Sequence, residues 1–341
     1  MYPYGRRTPV INRTKGAVAA IALTLGAALT LSACATSPST ATPEPATPET
    51  SESYYPITVT DLAGNEVTIE SVDSVGVFQN QSFGVLESWG IAPTVAPRTL
   101  MSENNSWKSD ESILDTGSHR EPNLEPLVAA APDLIISGGR YASHAADLQA
   151  AAPDAAFIDM TNEELSTDEY VVQSVTLLGE IFNEQQAAEE LIEEFHAATK
   201  AAIDAYDPEV TVMGLVTSGN EIRYASPEEG RGASIFFDLV KFTPALSAEG
   251  STNHQGDDIS IEAIAEANAD FFLVLDRDAA VTGGEEVTPA IELITGSASL
   301  ANVPAVKNDA IYVMPDDYYL TEDIFAFIAV LNGLTESFKA L

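Results

Sequence analysis

Cysteine and histidine are both scarce in this chain of 341 residues. The one cysteine, Cys34, excludes an intramolecular disulfide, and the four histidines lie far apart in the sequence. A zinc-binding protein would require clustered histidines or cysteines, so this class is disfavoured. The sequence also lacks the Gly-x-Ser-x-Gly, His-Glu-x-x-His and Gly-x-x-x-x-Gly-Lys signatures of hydrolases, metalloproteases and phosphate-binding enzymes. These absences argue against an enzyme.

Positive charge is scarce as well. The chain has 15 Lys+Arg against 52 Asp+Glu, a formal net charge of −37. Removing the first 33 residues would take away four basic and no acidic residues, which changes −37 to −41. So acidic a surface disfavours nucleic acid and anionic lipid as partners. It also makes the six arginines beyond residue 33 conspicuous.

Residues 1–33 have the features of an export signal. Four basic residues precede an apolar run at 16–31, which is shorter than the roughly 20 residues that a membrane span needs. The run ends in Leu31-Ser32-Ala33-Cys34, which resembles a bacterial lipobox, where the cysteine is lipidated and becomes the new N-terminus. We therefore expect a lipoprotein signal peptide at 1–33 and a protein anchored to the outer face of the cell membrane through Cys34. An uncleaved anchor helix is the alternative, and the export route, secretory or twin-arginine, stays open.

Residues 34–53 comprise this cysteine and a stretch of Ser, Thr, Pro, Ala and Glu without periodicity. Such a composition cannot bury enough apolar surface to offset its ordering entropy, so a disordered tether is expected. The remaining chain is long enough for two domains. We predict an N-terminal α/β lobe at 54–167, a helical connector at 168–206 and a C-terminal α/β lobe with a C-terminal helix at 207–341.

The two predicted lobes repeat one pattern. In each, a short capped helix leads into a buried apolar strand, at 133–137 in the first lobe and at 271–275 in the second. An arginine follows each strand, Arg140 and Arg277 respectively. Apolar strands that alternate with helices are typical of a parallel sheet covered on both faces, which predicts an α/β fold of two Rossmann-like lobes. Ligands bind at the carboxyl ends of such strands, so the paired arginines predict a cleft that attracts anions.

Two further segments shape this prediction. Alternation at 57–60 and 66–69 around a Gly-Asn turn predicts an opening β-hairpin. Apolar positions at helical spacing predict the connector, with Gly179 and Asn183 as candidate breaks. We expect this connector to be stiff and to limit lobe closure to a small movement.

From residue 54 onward the chain resembles the class III periplasmic binding proteins of iron–siderophore and cobalamin importers, and within them the ferric-catecholate or petrobactin-type group. The segments that carry this resemblance are 57–67, 123–125, 132–136, 177–182, Ile136-Ser-Gly-Gly-Arg140, Glu229-Gly-Arg-Gly232, Ser251-Thr-Asn-His254, Leu275-Asp-Arg-Asp-Ala-Ala280 and Tyr318-Tyr319-Leu320. The resemblance implies a solute-binding lipoprotein that captures a ferric siderophore and delivers it to the permease and ATPase subunits of an ABC importer. A monomer without an intrinsic cofactor is expected.

The resemblance also implies the ligand-binding residues. Arg140, Arg231 and Arg277 would surround the catecholates, because a guanidinium stays charged and offers a planar fork of donors to anionic oxygens. Arg231 is expected to open a helix. Tyr319 and His254 would complete the iron shell when the siderophore supplies only four oxygens. Surface ion pairs for the arginines and a solvated loop position for the histidine are the alternatives.

Two details of this set stay open. Tyr318 is an alternative to Tyr319, and the stretch around His254 is about two residues longer than the usual pattern, which leaves the direction of its ring undecided. For docking to the importer the resemblance implies Glu125 and Glu262, one on each lobe. Acidic residues also stabilise helix N-termini, which is the alternative, but the matching placement of the two glutamates on both lobes favours docking.

Two alternatives concern a different ligand and a different class of protein. A binder of ferric hydroxamate, haem or cobalamin with the same fold is the nearest alternative. A structural or adhesive surface lipoprotein is the alternative of a different class, and it leaves the paired arginines unexplained.

Overall fold

The computed structural model describes residues 53–281 and 287–341. The expected signal peptide, the lipidation site Cys34 and almost all of the expected tether lie outside the described residues. Within the described part, no helix combines the length and the apolar character needed to cross a bilayer.

The first sheet forms the centre of the N-terminal lobe. An antiparallel hairpin of β1 and β2 precedes it, as the alternating sequence predicts, and pairs Ile57 with Ile69. The strands of this region are β1 (Ile57–Thr60), β2 (Glu66–Ile69), β3 (Val75–Phe78), β4 (Val95–Ala96), β5 (Leu114–Asp115), β6 (Leu134–Ser137) and β7 (Ala156–Asp159). The sheet order is β5-β4-β3-β6-β7 and every pair is parallel. Because β3 and β6 are buried along their whole length, they read as continuous apolar runs.

The second sheet has one exception to the parallel pattern. Its strands are β8 (Thr211–Ser218), β9 (Glu221–Ala225), β10 (Thr243–Pro244), β11 (Phe271–Asp276) and β12 (Ile311–Val313). The parallel order is β10-β8-β11-β12, while β9 pairs antiparallel with β8. A turn at Gly219-Asn220, both with positive φ, joins β8 to β9, which is too short a link for a parallel crossover.

Helices cover the sheets. They are α1 (Gln81–Ser88), α2 (Glu125–Ala130), α3 (Ala145–Ala151), α4 (Thr167–Phe182), α5 (Gln185–Ala205), α6 (Ser234–Val240), α7 (Ile261–Ala267), α8 (Arg277–Val281), α9 (Ala290–Gly296), α10 (Pro304–Lys307), α11 (Tyr318–Thr321) and α12 (Ile324–Ala340). The predicted connector is therefore two helices, α4 and α5. The break is at Asn183, whose φ of 59° is left-handed, and Gly179 lies inside α4. A capping box of Ser166 and Glu169 begins α4.

The hydrophobic core is continuous between the lobes. One cluster contains Val77 of the first sheet, Phe195 of α5, Leu331 of α12 and Leu273 of the second sheet. A separate cluster containing Val274 covers the opposite face of the second sheet, because successive strand residues point to opposite faces. The long helices α5 and α12 pack together, and both contribute side chains to the first cluster. A shared core of this kind resists rotation of one lobe against the other.

Candidate functional site

Two of the candidate arginines lie where parallel strands end. Ser137 is the last residue of β6, and Arg140 follows it in a short 3-10 helix at Gly139–His144. Asp276 ends β11, and Arg277 is the first residue of α8. Both arginines are thus placed by the backbone at the carboxyl edge of a sheet.

Arg231 reaches the same place from a turn. The helix that follows it, α6, begins at Ser234, so the expectation that Arg231 opens a helix is wrong. Gly232 bends the chain here with a φ of 81°, and a Cβ at this position would press on Leu275. A residue in the left-handed conformation cannot be part of a right-handed α-helix. Arg231 precedes Gly232 and therefore lies in the turn before α6.

The three arginines meet on one aromatic ring. The guanidinium carbons of Arg140, Arg231 and Arg277 lie 5.0, 4.7 and 5.3 Å from the ring centroid of Tyr319. These separations are within cation–π range. Tyr319 as a whole residue is only 4% exposed. We call these four residues the arginine cluster. It brings together residues that are up to 179 positions apart in the sequence.

Each arginine of the cluster has a different hydrogen-bond acceptor. Arg140 Nη2 donates to the backbone carbonyl of Tyr319 at 2.8 Å, and Arg277 Nη1 donates to Ser218 Oγ at 3.1 Å. Arg231 forms a two-point pair with Glu322, in which Nε donates to Oε1 at 2.9 Å and Nη2 donates to Oε2. The Nε atoms of Arg140 and Arg277 are buried and have no protein acceptor among the described residues. The Nε atoms of Arg98 and Arg223, outside the cluster, are buried without an acceptor as well. What distinguishes Arg140 and Arg277 is therefore their convergence with Arg231 on one ring, which concentrates charged donors at a single place.

The arginines also change the acidity of the tyrosine. Burial by itself would raise the pKa of the Tyr319 phenol. The nearby guanidinium groups of Arg277, Arg231 and Arg140 outweigh burial and lower the pKa of the phenol below the ordinary value of 10.0. A phenol with a lowered pKa is more readily converted to phenolate, a hard oxygen ligand suited to ferric iron.

The neighbouring Tyr318 is a poor alternative to Tyr319. Its side chain is 1% exposed and packs against Phe236 and Phe327. Burial raises the pKa of Tyr318 well above its ordinary value. Tyr318 is therefore a core residue, whereas Tyr319 faces the arginines.

His254 is half-buried and lies within electrostatic range of the cluster's arginines. Burial lowers the pKa of its imidazole, and the charges of Arg277, Arg231, Arg120 and Arg140 lower it further. The lowered pKa favours the neutral imidazole, which is the form that can bind a metal. Arg120, a residue that the sequence patterns do not single out, acts on both His254 and His119. Because it follows no strand and belongs to no repeated motif, only its spatial position reveals it.

Polar side chains of the N-terminal lobe hold the segment that carries the tyrosine. Asn80 Nδ2 donates to the carbonyls of Leu320 and Thr321 at 2.8 and 3.3 Å, and Gln81 Nε2 donates to the carbonyl of Glu322 at 3.1 Å. Since α11 belongs to the C-terminal part of the chain, it bridges the lobes. A segment fixed from both sides positions Tyr319 rigidly.

The two candidate docking residues are exposed, one at the start of each short helix. Glu125 is the first residue of α2, and its N–H donates to Asn123 Oδ1 at 3.0 Å. Glu262 is in the first turn of α7, which Ser260 caps. Each belongs to a helix that precedes a central strand of its sheet, β6 or β11. Their role in docking stays a prediction.

Within the described residues, no group of three or more His, Cys, Asp or Glu side chains is arranged to hold a metal ion. The arrangement at the cluster is different: arginine donors around one phenol, with a histidine nearby. It can bind an anion through charge-assisted hydrogen bonds and can offer two side chains to a metal that arrives with other ligands.

The sequence from residue 76 to residue 318 matches a family model described as periplasmic binding protein. The ferric-anguibactin-binding protein FatB of Vibrio anguillarum is 30% identical over 237 residues, which are 69% of this chain and 72% of FatB. The petrobactin-binding protein YclQ of Bacillus subtilis is 26% identical over 251 residues, 72% of this chain and 76% of YclQ. The crystal structure of the catecholate-siderophore binding protein VctP of Vibrio cholerae matches with a TM-score of 0.69 and 25% identity, covering 82% of this chain and 99% of VctP.

The fold agrees with these matches. The crystal structure of YclQ has a TM-score of 0.71 against this chain and covers 83% of it, which confirms the expected class III architecture. The family that this chain matches, and the relatives FatB and YclQ, are substrate-binding proteins rather than enzymes. The chain is a member of the periplasmic binding protein family.

Proposed function

We propose that this protein captures a ferric siderophore of the catecholate type outside the cytoplasm and delivers it to an ABC importer. The observation that carries the proposal is the convergence of three arginines on the ring of Tyr319. A protein of 52 acidic and 15 basic residues repels anions in general, so this local concentration of positive charge requires a specific reason.

Ligand chemistry supports catecholate over the alternatives. Ferric catecholates are anions whose oxygens accept hydrogen bonds, and three guanidinium groups converge at the ring of Tyr319. Ferric hydroxamates are neutral or cationic and would leave these charges uncompensated. The ligands named for FatB, YclQ and VctP, ferric anguibactin, petrobactin and a catecholate siderophore, are consistent with this choice.

Capture proceeds without covalent chemistry. The arginines neutralise the catecholate oxygens in a partly buried site, where charge-assisted hydrogen bonds are stronger than in water. Where the siderophore leaves iron positions open, the phenolate of Tyr319 and the neutral imidazole of His254 take them, and the phenol releases its proton to solvent. The iron is cargo and leaves with the siderophore.

Delivery adds two proposals. Glu125 and Glu262 would contact basic residues of the permease, one from each lobe, and the ATPase would then drive import. Lipidation of Cys34 after removal of residues 1–33 would hold the protein at the outer face of the cell membrane. Labelling cells with a radioactive fatty acid tests the anchor: the wild-type chain should be labelled and the Cys34→Ala variant should not, and labelling of both would contradict it.

Titration of the purified protein tests the ligand. Quenching of intrinsic fluorescence is measured with ferric catecholate, ferric hydroxamate, haem and cobalamin. Binding of the catecholate alone is expected, and the variants Arg140→Gln and Arg277→Gln should weaken it about ten- to a hundred-fold, the effect of losing one charged hydrogen bond.

Arg223→Gln is the matched control for this titration. Arg223 pairs with Glu221 on β9 and is not among the arginines over Tyr319. Its loss should leave affinity unchanged. Tight binding of hydroxamate, haem or cobalamin, with indifference to Arg140 and Arg277, would overturn the proposal.

A further inference from the structure

Glu322 is an acidic side chain in direct contact with the arginine cluster. Arg231 Nε donates to its Oε1 at 2.9 Å and Arg231 Nη2 donates to its Oε2. The two side chains are 26% and 17% exposed, so the pair is largely shielded from solvent. Arg140 and Arg277 instead donate to a backbone carbonyl and a hydroxyl, which carry no charge. One arginine of the three is thus already engaged by a carboxylate.

The backbone holds Glu322 in this position. Its N–H donates to the carbonyl of Tyr318 at 3.0 Å and its own carbonyl accepts from Gln81 of the N-terminal lobe at 3.1 Å. Its φ of 42° ends α11 in the left-handed conformation. The carboxylate therefore belongs to a rigid part of the site, and the pairing with Arg231 is built into the fold.

The pair changes what the cluster offers to a ligand. Three arginines and one glutamate leave two positive charges, and the fork of Arg231 is directed at protein rather than outward. A ferric ion bound by two catecholate dianions is a monoanion, whereas one bound by three is a trianion. A negative charge at a fixed place repels a ligand in proportion to the ligand's charge, so Glu322 disfavours the trianion more strongly.

Resting on the proposed function, we propose that Glu322 is a specificity-determining residue that makes the cluster favour ferric bis-catecholates over ferric tris-catecholates. It does so in two ways. It removes one unit of positive charge, and it engages two donors that a third catecholate would need. Specificity then comes from a built-in repulsion as well as from attraction.

The test compares Glu322→Gln with the wild type. Dissociation constants are measured by fluorescence quenching for the ferric complexes of a tetradentate bis-catecholamide and of a hexadentate tris-catecholamide. The ratio of the two constants is the readout. In the variant the tris complex should gain at least ~10-fold more affinity than the bis complex, and added salt should shrink the difference.

Two further variants serve as a second test and as a control. Glu322→Asn also removes the charge and suits the left-handed backbone better, so it decides the matter if the glutamine variant does not fold. Glu229→Gln removes a charge from an exposed residue that lines the same cavity of about 360 Å³ as Arg231 and Glu322. An exposed charge is well screened, so this control should change the ratio by less than about three-fold.

A failure of the role of Glu322 and a failure of siderophore capture would give different results. An unchanged ratio in both neutral variants, an equal gain for both ligands, or a loss for both would overturn the role of Glu322 while leaving siderophore capture intact. A ratio change as large in Glu229→Gln would do the same. A wild-type protein that binds neither ferric catecholate would overturn the proposed function itself.

Discussion

Asp323 is a buried carboxylate at the start of the longest C-terminal helix. It is 5% exposed, and its Oδ1 accepts the N–H of Ala326 at 2.9 Å as the cap of α12. Burial raises the pKa of Asp323 from 3.8 to about 6, the hydrogen bond from Ala326 opposes the rise, and the nearby charge of Asp317 adds to it. At neutral pH the Asp323 carboxylate is therefore charged, although its burial disfavours the charged form.

The raised pKa fixes the sign of the effect on stability. The native state holds this proton more tightly than the unfolded state, so the contribution of protonated Asp323 is fully present below about pH 3.8 and is lost as the pH rises through about 6. A difference of about two pKa units corresponds to ~3 kcal/mol in the free energy of unfolding. Because the side chain is almost completely buried, solvent screening reduces this little.

The perturbation is Asp323→Asn, which removes the charge and keeps an oxygen that can accept the Ala326 N–H. We expect the variant to unfold with a free energy about 1–3 kcal/mol higher than the wild type at pH 8, and to show no gain at pH 4. Denaturant unfolding followed by circular dichroism at both pH values measures this. The amide adds donors that need partners, which is why the expected gain is below the full charge effect.

A control isolates the burial effect. Asp207 is exposed and also accepts a backbone N–H, that of Glu209 at 3.0 Å. Asp207→Asn should change the unfolding free energy little at either pH. A loss of stability in Asp323→Asn at pH 8, or an equal gain at pH 4 and pH 8, would refute the reasoning.

Three other predictions follow from the same geometry. The ultraviolet difference spectrum between wild type and Tyr319→Phe should show a phenol that ionises below the ordinary tyrosine pKa, and ionisation only above it would contradict the arginine effect. Gly84→Ala should destabilise the fold by about 1–3 kcal/mol, because its Cβ would overlap the Asp323 carboxylate; Gly296→Ala, which has no neighbour within 4 Å, should be neutral. Crystal structures with and without ferric siderophore should differ by a small rotation of the lobes, and a large hinge movement would contradict the role of the shared core.

The sequence was a good guide to the strands. Those at 57–60 and 66–69 agree with the structure, and those at 133–137 and 271–275 agree to within one residue. Alternation and continuous apolar runs report directly on one- or two-sided burial. It was a weaker guide to breaks and helix starts. Both Gly179 and Asn183 are compatible with a break in a helix, and only packing selects the left-handed Asn183. In the same way α6 begins after Arg231 because Gly232 turns the chain there.

The residues of the candidate site also differ in how far the sequence predicts their positions. The positions of Arg140 and Arg277 after parallel strands could be anticipated, because the carboxyl ends of such strands are where ligands bind. The partnership of Arg231 with Glu322 could not. These residues are 91 positions apart, and no local pattern distinguishes this glutamate from the other acidic side chains.

By itself the sequence determined the α/β architecture and the scarcity of positive charge that makes each arginine informative, because burial and composition are properties of segments. Only the tertiary structure decided which charges meet. Whether Arg231 points at a ligand or at Glu322, and whether Tyr319 or Tyr318 faces the arginines, depends on distances between distant segments. Electrostatic energies depend on the distance between two charges and on their burial. For residues far apart in the sequence, both quantities are set by the tertiary structure.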